Sequence, residues 1–183
     1  MAALERVDER VHQEPTDGSI ATPRLAEQLR TYNELDIMII RHPEASEHDA
    51  VHQFVKCVVN EIYQGLWSTS PLEIENQDWS DAWVASLGAE IVGVLLTKDE
   101  WIDDLWIRQD HRGRGLGTKL LQYAEAEIAG RRYEVIRLRV VKANRNATSF
   151  YVKHGWNIER EFRHETLPIE MLELTKRSDR SPI

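Results

Sequence analysis

Hydrophobic residues in this chain fall into two kinds of stretch, short runs rich in aromatic and branched side chains and longer stretches with a helical period. The short runs predict strands at residues 35–40, 82–87, 91–97, 101–107 and 135–141. The helical period predicts helices at residues 46–67, 116–130 and 144–155. Two more strands are expected within residues 157–175.

The order of these elements predicts the fold. A turn at Gly88 joins two of the strands as a hairpin. The strand at 101–107, the helix after it and the strand at 135–141 form a crossover unit, and such units are parallel and right-handed. We therefore predict an α/β protein of the α+β kind, with a mixed sheet of six to seven strands flanked by helices.

Length and composition fit one globular domain, since 42% of the 183 residues are hydrophobic and 30% are charged. We predict a domain at residues 34–176 between an N-terminal tail, 1–33, and a C-terminal tail, 177–183. Thr22 and Pro23 have the pattern of a helix start, so the first tail is expected to hold an accessory helix. No apolar run approaches the roughly 20 residues that span a bilayer, and the charged start is unlike a signal peptide. A cytoplasmic protein without membrane contact is expected.

The net charge of −8 argues against a nucleic-acid partner, because phosphate contacts need clustered lysine and arginine. A cationic acceptor suits an acidic protein better. Charge also divides along the chain, with acidic side chains up to the strand at 101–107 and basic ones after it. The acidic residues are Asp99, Glu100, Asp103 and Asp104, and the basic ones are Arg108, Arg112, Arg114 and Lys119. This division predicts an anion site just after the strand.

Cysteine and histidine are interpreted as structural. Cys57 is the only cysteine, which excludes an internal disulfide, and its apolar neighbours predict that it packs in the core. His48 and His52 have helical spacing, but no third ligand stands in an obvious place, so we predict no metal site.

Residues 112–118, with the sequence RGRGLGT, form a glycine-rich turn between a strand and a helix. Glycine lets the backbone approach a ligand without an intervening Cβ, and the first amides of a helix have no partner inside it. A pyrophosphate fits such a site. A dinucleotide fingerprint needs a small residue at Thr118, and a P-loop needs its lysine before the threonine, so neither pattern matches. A basic, flexible loop without a ligand is the alternative.

Arg112-x-x-Gly115-x-Gly117 resembles the [Gln/Arg]-x-x-Gly-x-[Gly/Ala] signature of the GNAT superfamily of acyl-CoA-dependent N-acetyltransferases. A second segment, residues 144–156, resembles that family's N-x-x-A-x-x-F-Y-x-x-x-G-F pattern, with Trp156 where phenylalanine is usual. Both motifs stand in the family's order and spacing. The resemblance covers about 140 residues, the size of one domain.

The resemblance implies a fold whose two parallel strands splay apart at the cofactor cleft, with acetyl-CoA as co-substrate. The pantetheine arm would bind backbone groups in the gap like an added strand. Tyr151 would be the general acid for the leaving thiolate, and Asn144 would hydrogen-bond the pantetheine or the thioester. The residues expected to bind acetyl-CoA are Leu105, Trp106, Ile107, Arg112, Gly113, Arg114, Gly115, Leu116, Gly117, Thr118, Asn144 and Lys153.

Acetyl transfer to an amine also needs a base and an oxyanion donor. An alkylammonium must lose a proton before it attacks, and Asp103 or Asp104 could accept that proton, directly or through water. Strand alternation puts the two carboxylates on opposite faces, and we favour Asp103. The oxyanion donor is expected to be a backbone amide within residues 105–107, and the sequence leaves open which one.

The acceptor is predicted to be a primary amine of a small molecule. Four aromatic residues lie in the region that covers the acceptor site in the family, Tyr63, Trp67, Trp79 and Trp83, and each of them is alternatively a core residue. Two other functions stay open: acetylation of a protein N-terminus or lysine, and a non-catalytic acyl-CoA-binding module. A homodimer is a further possibility, and the sequence identifies neither the acceptor nor the preferred acyl chain.

Overall fold

A seven-stranded sheet forms the centre of the computed structural model, which describes residues 34–65, 72, 74 and 77–178. The strands are β1 (Ile39–Arg41), β2 (Trp83–Leu87), β3 (Glu90–Lys98), β4 (Trp101–Ile107), β5 (Val135–Val141), β6 (Asn157–Arg163) and β7 (Glu170–Arg177). The helices are α1 (Glu34–Ile37), α2 (His48–Tyr63), α3 (Leu116–Gly130) and α4 (Arg145–Lys153), with short 3-10 turns at Ala45–Glu47 and Gln109–His111. The accessory helix predicted after Thr22 lies outside the described residues, and the predicted domain boundaries stay predictions.

The strand order across the sheet is β1-β2-β3-β4-β5-β7-β6. β4 and β5 run parallel, and the other neighbouring pairs in this sheet are antiparallel. Helix α3 connects β4 to β5, so these three elements form the predicted crossover. The prediction of a mixed sheet flanked by helices is confirmed, with seven strands.

Helices cover both faces of the sheet. Helix α3 packs on one face, together with Tyr151 of α4 and Trp156 of the turn after it. The buried stripe of α3 repeats every three or four residues and consists of Leu116, Leu120, Leu121, Ala124 and Ile128. Helix α2 packs on the opposite face through Val51, Val55 and Val59. These are called the α3 face and the α2 face below.

Two predicted elements in the first half of the chain have other bounds. The strand predicted at residues 35–40 is wrong, because helix α1 precedes a shorter strand β1. Leu35 packs against the core of the α3 face from this helical turn, a contact that the local sequence does not reveal. The helix predicted at 46–67 runs only from His48 to Tyr63, and Gly65, with φ of +90°, follows its end.

The predicted core position of Cys57 is also wrong, because the residue is exposed. The buried side of α2 includes Val51, Val55, Val58 and Val59. A helix turns by about 100° per residue, so Cys57 lies about 200° around the axis from Val55. Its exposure therefore follows from helix geometry.

Glu173 of β7 is a buried carboxylate on the α2 face. Glu173 is 4% exposed and accepts hydrogen bonds from Arg137 Nη1 at 3.0 Å and from Arg160 Nη2 at 2.7 Å. Burial alone would raise the pKa of Glu173, but the hydrogen bonds and charges of the surrounding arginines outweigh burial and lower it. A carboxyl group with a lowered folded pKa stabilises the fold above its unfolded pKa, and this contribution is lost as the pH falls through the folded pKa.

We expect Glu173→Gln to lower the free energy of unfolding by about 2 kcal/mol at neutral pH, because an uncharged amide cannot satisfy both arginines. The difference between wild type and variant should shrink as the pH falls below about 4, where the wild-type carboxyl also takes up a proton. Urea unfolding curves over a pH series measure this difference. A difference that is the same at every pH would show that the ion pairs are not its cause.

Candidate active site

A gap opens inside the sheet between β4 and β5. Among the described residues, the two strands pair only at Trp101 with Arg137 and at Ile102 with Leu138. Beyond these pairs β4 continues along β3 and β5 continues along β7, so the two halves of the sheet diverge. The rest of β4 therefore has an open edge toward β5.

Leu105 and Ile107 turn their backbone groups toward this gap. The amide of Arg108 donates to the carbonyl of Val92 in β3 at 3.0 Å. Every second residue of an antiparallel strand hydrogen-bonds to its neighbour, so the backbone of Trp106, two residues before Arg108, also pairs with β3. The backbone groups of Leu105 and Ile107 face away from β3. The prediction that Trp106 offers backbone groups to a ligand is therefore corrected, because those groups face β3.

A β-bulge in β4 separates the surroundings of the two predicted bases. Between the pairs Leu96 with Asp104 and Thr97 with Ile102, β4 contains one extra residue, Asp103. A bulge interrupts the strict alternation of side chains on which the prediction for these aspartates rests. Asp103 is exposed, whereas Asp104 is partly buried.

Asp104 lies in the more enclosed environment. Its Oδ1 accepts a hydrogen bond from Trp106 Nε1 at 2.7 Å, across two residues of the same strand face. Burial raises the pKa of Asp104, the Trp106 hydrogen bond opposes the rise, and the charge of Asp103 adds to it. Partial desolvation also raises the pKa of Asp103, although its side chain is exposed, and the charges of Lys98 and Arg139 oppose this rise. Both carboxylates are therefore stronger bases than an ordinary aspartate.

Asn144, Tyr63 and Tyr151 form a cluster of polar side chains, and Asp104 acts electrostatically on its two tyrosines. Asn144 caps α4 by accepting from the amide of Ala147 at 3.1 Å, and its Nδ2 donates to the hydroxyl of Tyr63 at 3.1 Å. Tyr151 is 8% exposed, and its hydroxyl makes no hydrogen bond with a described residue. Burial raises the pKa of Tyr151, and Tyr63 and Asp104 raise it further. Tyr151 therefore holds its proton at neutral pH, so its hydroxyl can donate a hydrogen bond.

The loop between β4 and α3 presents a run of free amides. The N–H groups of residues 113–118 donate to no backbone carbonyl among the described residues. Gly115, directly before α3, has φ of +92°, a conformation that glycine adopts without strain. Unpaired amides at the start of a helix bind phosphate, so this loop fits the diphosphate of acetyl-CoA.

Arg112 ties this loop to two other elements. Its Nε donates to the carbonyl of Ile107 at 2.9 Å, and its Nη1 donates to Glu61 of α2 at 2.6 Å. Charge-assisted contacts of this kind fix the position of a side chain. Arg112 thus has a positioning role in the structure, in addition to its predicted place in the acetyl-CoA site.

Helix α1 covers one side of the loop. Arg114 forms an ion pair with Glu34, and Lys119 Nζ donates to the carbonyl of Leu35. A Cβ added to Gly115 would lie 3.0 Å from Leu35 Cδ1. No local signal in the sequence connects these distant residues, so the contacts could not be predicted.

We expect Gly115→Ala to destabilise the protein by about 1–3 kcal/mol, because the positive φ and the Leu35 contact both oppose a Cβ. Gly113→Ala is the matched control, since Gly113 has φ of +74° but a Cβ there would meet no atom within 4 Å. Thermal unfolding of both variants measures the difference. Equal unfolding midpoints would contradict the role given to Leu35.

The remaining predicted acetyl-CoA ligands lie where α3 and α4 approach each other. Thr118 Oγ1 is 3.0 Å from Nε2 of His154, the residue after α4. Lys153 is exposed and, with His154, lines a cavity of about 560 Å³ beside α3 and β7. Phe150 lies 3.6 Å from the position of a Cβ added to Gly117, so α4 packs directly on the start of α3.

The aromatic residues predicted to contact the acceptor separate into two groups. Tyr63 belongs to the cluster of polar side chains around Asn144 described above. Trp79 is 1% exposed in the core of the α2 face, and Trp83 packs on Tyr123 on the α3 face, with ring centroids 4.9 Å apart. Trp79 is therefore a core residue, and Trp83 is partly buried against the core. Trp67 lies outside the described residues.

His48 and His52 both lie in α2, as predicted. Across residues 34–65, 72, 74 and 77–178, no three His, Cys, Asp or Glu side chains are grouped so that they could hold a metal ion. In the same part of the chain, no helix has the length and apolar character needed to cross a membrane.

The two sequence motifs together predict three features of this site. They are an open pair of parallel strands, a loop of free amides and a buried tyrosine on helix α4. The family model for the GNAT acetyltransferases matches residues 52–156, more than half of the chain. The chain belongs to the GNAT acetyltransferase family. The resemblance inferred from the motifs is confirmed, and the protein is an N-acetyltransferase by family.

Relatives share the fold over most of their length. The peptidyl-lysine N-acetyltransferase YjaB of Salmonella typhimurium is 28% identical over 123 residues, which are 67% of this chain and 74% of that protein. The solution structure of apo YjaB from Escherichia coli has 20% identity and a TM-score of 0.60, covering 76% of this chain and 97% of that one. The structure of yncA from Salmonella typhimurium, with its cofactor acetyl-CoA, has 13% identity and a TM-score of 0.59, covering 80% of this chain and 96% of that one.

Two side-chain contacts of the site, besides those of helix α1, were not identified from the sequence. The hydrogen bond between Trp106 and Asp104 has a usable signal, because residues two apart in a strand share a face. The ion pair between Arg112 and Glu61 joins a loop to a helix far away in the chain, and nothing in either segment indicates the other.

Proposed function

We propose that this protein moves the acetyl group of acetyl-CoA to the primary amine of a small molecule, by direct attack of the amine while both substrates are bound. The observation that carries the proposal is the open edge of β4, where the backbone groups of Leu105 and Ile107 lead to the free amides of residues 113–118. Acetyl-CoA, when bound, supplies the activated acetyl group and a thiolate leaving group. The chain supplies binding, proton transfer and charge stabilisation.

Asp104 is the proposed base. An alkylammonium group has a pKa of about 10.4, so the acceptor arrives charged and is attracted by a carboxylate. Only the deprotonated amine has a lone pair with which to attack. Asp104 is preferred to Asp103, which the sequence favoured, because Asp104 is more enclosed and acts electrostatically on Tyr63 and Tyr151.

A backbone amide of β4 is the proposed donor to the carbonyl oxygen as that oxygen becomes negative. Leu105 and Ile107 direct their amides into the gap, and pairing of β4 with β3 holds both in place. Tyr151 is proposed to hydrogen-bond the sulfur and to give it a proton as the carbon–sulfur bond breaks. The proton that the new amide nitrogen loses restores the tyrosine. Asp104 releases to solvent the proton that it took from the ammonium group, so the protein ends the cycle unchanged.

Acetylation of a lysine side chain in a protein is a second candidate. It is favoured by the relative that is named a peptidyl-lysine N-acetyltransferase. The chemistry at nitrogen is the same, because a lysine side chain is also a primary alkylamine. A binding module without catalysis is disfavoured because Tyr151, the proposed proton donor, and Asn144 are both present.

Thermal unfolding with and without acetyl-CoA, followed by thiol release over a panel of amines and lysine-containing peptides, tests the proposal. We expect acetyl-CoA at a hundredfold excess over its Kd to stabilise the fold by about 2.7 kcal/mol. At least one small amine should release thiol faster than every peptide. Faster turnover of the peptides would identify protein lysine as the acceptor. Stabilisation without thiol release from any amine or peptide would leave only a binding module.

A further inference from the structure

A cluster of arginines lies across the gap from the aspartates, and the proposed function does not use it. Alternation along β5 sends Arg137 and Arg139 to the α2 face, because Leu138 between them packs on the α3 face. Arg160 of β6 joins them around the buried Glu173. Three positive charges and one negative charge leave a net charge of +2 at this place, in a protein with a net charge of −8.

Arg139 is the member of this cluster whose donors are free. Arg137 donates to Glu173 Oε1 at 3.0 Å, and Arg160 donates to Oε2 from Nε and Nη2 at 3.0 and 2.7 Å. Arg139 Nε lies 3.8 Å from Oε2, beyond hydrogen-bond range, and its guanidinium donates to no other described residue. The side chain of Arg139 is 51% exposed, so a ligand can reach it.

Two aromatic rings hold the guanidinium of Arg139 in place. Its Cζ lies 4.5 Å from the ring centroid of Trp101 and 5.7 Å from that of Phe162. Cation–π contacts with two rings restrict the rotamers of the arginine. A planar donor that is already ordered loses less entropy when it binds a planar anion.

Arg139 stands beside the proposed acceptor site. It follows Leu138, the last residue of β5 that pairs with β4. Its charge acts on Asp103, the neighbour in sequence of the proposed base Asp104. From the spacing of strands and of residues along a strand, with the divergence of β4 and β5, the backbones of Arg139 and Asp104 are roughly 6–10 Å apart.

We propose that Arg139 anchors a carboxylate of the acceptor, so that the acceptor is an amine with a carboxylate a few bonds from the reacting nitrogen. This inference rests on the proposed function. The guanidinium forms two parallel hydrogen bonds to the carboxylate while Asp104 receives the ammonium group. An amino acid or a close analogue carries an amine and a carboxylate that are a few bonds apart. A polyamine has no carboxylate that Arg139 could bind, and the arginine cluster repels the second positive charge of the polyamine.

Matched pairs of acceptors test this inference. Each pair is an amino acid and the amine left after its decarboxylation, such as lysine with 1,5-diaminopentane, or methionine with 3-(methylthio)propylamine. The wild type is expected to have a kcat/KM about 10- to 100-fold higher for the amino acid. Arg139→Gln should remove this preference and leave the Kd of acetyl-CoA unchanged. Arg160→Gln is the control, because it also weakens the contacts of Glu173 but should keep the preference.

Equal turnover of the two members by the wild type, or a preference that persists in Arg139→Gln, would overturn the inference. A second measurement needs no turnover. With CoA present, calorimetry should show wild type binding N-acetylglycine about tenfold or more tightly than N-methylacetamide, and Arg139→Gln binding both alike. Equal binding of these products to the wild type would reject the role of Arg139. Carboxylate-selective binding without thiol release from any amine would instead reject the proposed function and keep the carboxylate site.

Discussion

Replacing Tyr151 by phenylalanine is expected to lower kcat by a factor of about 100 to 10,000, the usual contribution of a general acid. The Kd of acetyl-CoA should stay near the wild-type value. Phenylalanine keeps the ring contacts with Phe150 and Trp156, whose centroids lie 5.2 and 5.9 Å from that of Tyr151. The variant loses only a hydroxyl that has no hydrogen-bond partner among the described residues. Steady-state kinetics and calorimetry with acetyl-CoA measure the two effects separately.

Tyr63→Phe is the matched control for this prediction. The hydroxyl of Tyr63 accepts a hydrogen bond from Asn144, so its removal leaves a polar group unsatisfied and should lower the free energy of unfolding by about 1 kcal/mol. Its effect on kcat should be smaller than that of Tyr151→Phe. If Tyr151→Phe reduced turnover and acetyl-CoA affinity by the same factor, Tyr151 would have a structural role in the cofactor site.

Asp104→Asn is expected to lower kcat/KM by a factor of about 100 or more at neutral pH, because an amide cannot accept the proton of the acceptor. The same substitution should raise the thermal unfolding midpoint. Asparagine keeps an acceptor oxygen for the hydrogen bond from Trp106 Nε1, which is 2.7 Å long in the wild type. It also removes a negative charge from a partly buried position.

The pH dependence of this stabilisation follows from the raised pKa of Asp104. The folded protein binds the proton of this carboxyl more tightly than the unfolded chain does. Stability contributed by the protonated form is therefore complete below the unfolded pKa and is lost as the pH rises through the folded pKa. The gain from Asp104→Asn should be present at neutral pH and should disappear as the pH falls toward about 4.

Asp103→Asn separates the two candidate bases. Asp103 is exposed, so its replacement should change stability less than that of Asp104, and it should reduce kcat/KM only modestly. A larger loss of kcat/KM for Asp103→Asn than for Asp104→Asn would return the role of base to Asp103. Thermal unfolding and thiol release on the two variants are sufficient to decide between them.

The elements around the gap could be predicted because each has a signal of its own. Aromatic and branched residues predict β4 at Trp101–Ile107 and β5 at Val135–Val141, and helical periodicity predicts α3 at Leu116–Gly130, with the bounds that the structure has. Asn144 and Asn146 both have the side chain of an N-cap, and in the structure Asn144 caps α4. The motif around Gly115 lies where a strand leads into a helix. The unpaired amides at the start of a helix point away from its N-terminal end, toward a bound anion.

The parts that could not be predicted depend on pairing between distant residues. The bulge at Asp103 arises from the register of β4 against β3, and no residue in β4 marks it. The bulge breaks the alternation that was expected to place the two aspartates on opposite faces, and Asp104 is the more enclosed of the two. Leu35 is helical and packs against the core of the α3 face, and that contact lies beyond any local pattern.

Arg139 shows an intermediate case. The alternation of arginine with apolar residues in β5 places its side chain on a polar face from sequence alone. Its free donors and its aromatic neighbours depend on strands β4, β6 and β7, which the sequence does not bring together. Specificity residues of this kind therefore need the sheet order before they can be recognised.

Amide hydrogen exchange with and without acetyl-CoA tests whether the open edge of β4 and the loop after it hold the co-substrate. The amides of residues 113–118, with those of Leu105 and Ile107, should exchange more slowly in the complex because they gain acceptors. The amide of Trp106, which pairs with β3, should change little. Unchanged exchange at residues 113–118 in protein saturated with acetyl-CoA, or protection confined to other elements, would contradict this mode of binding.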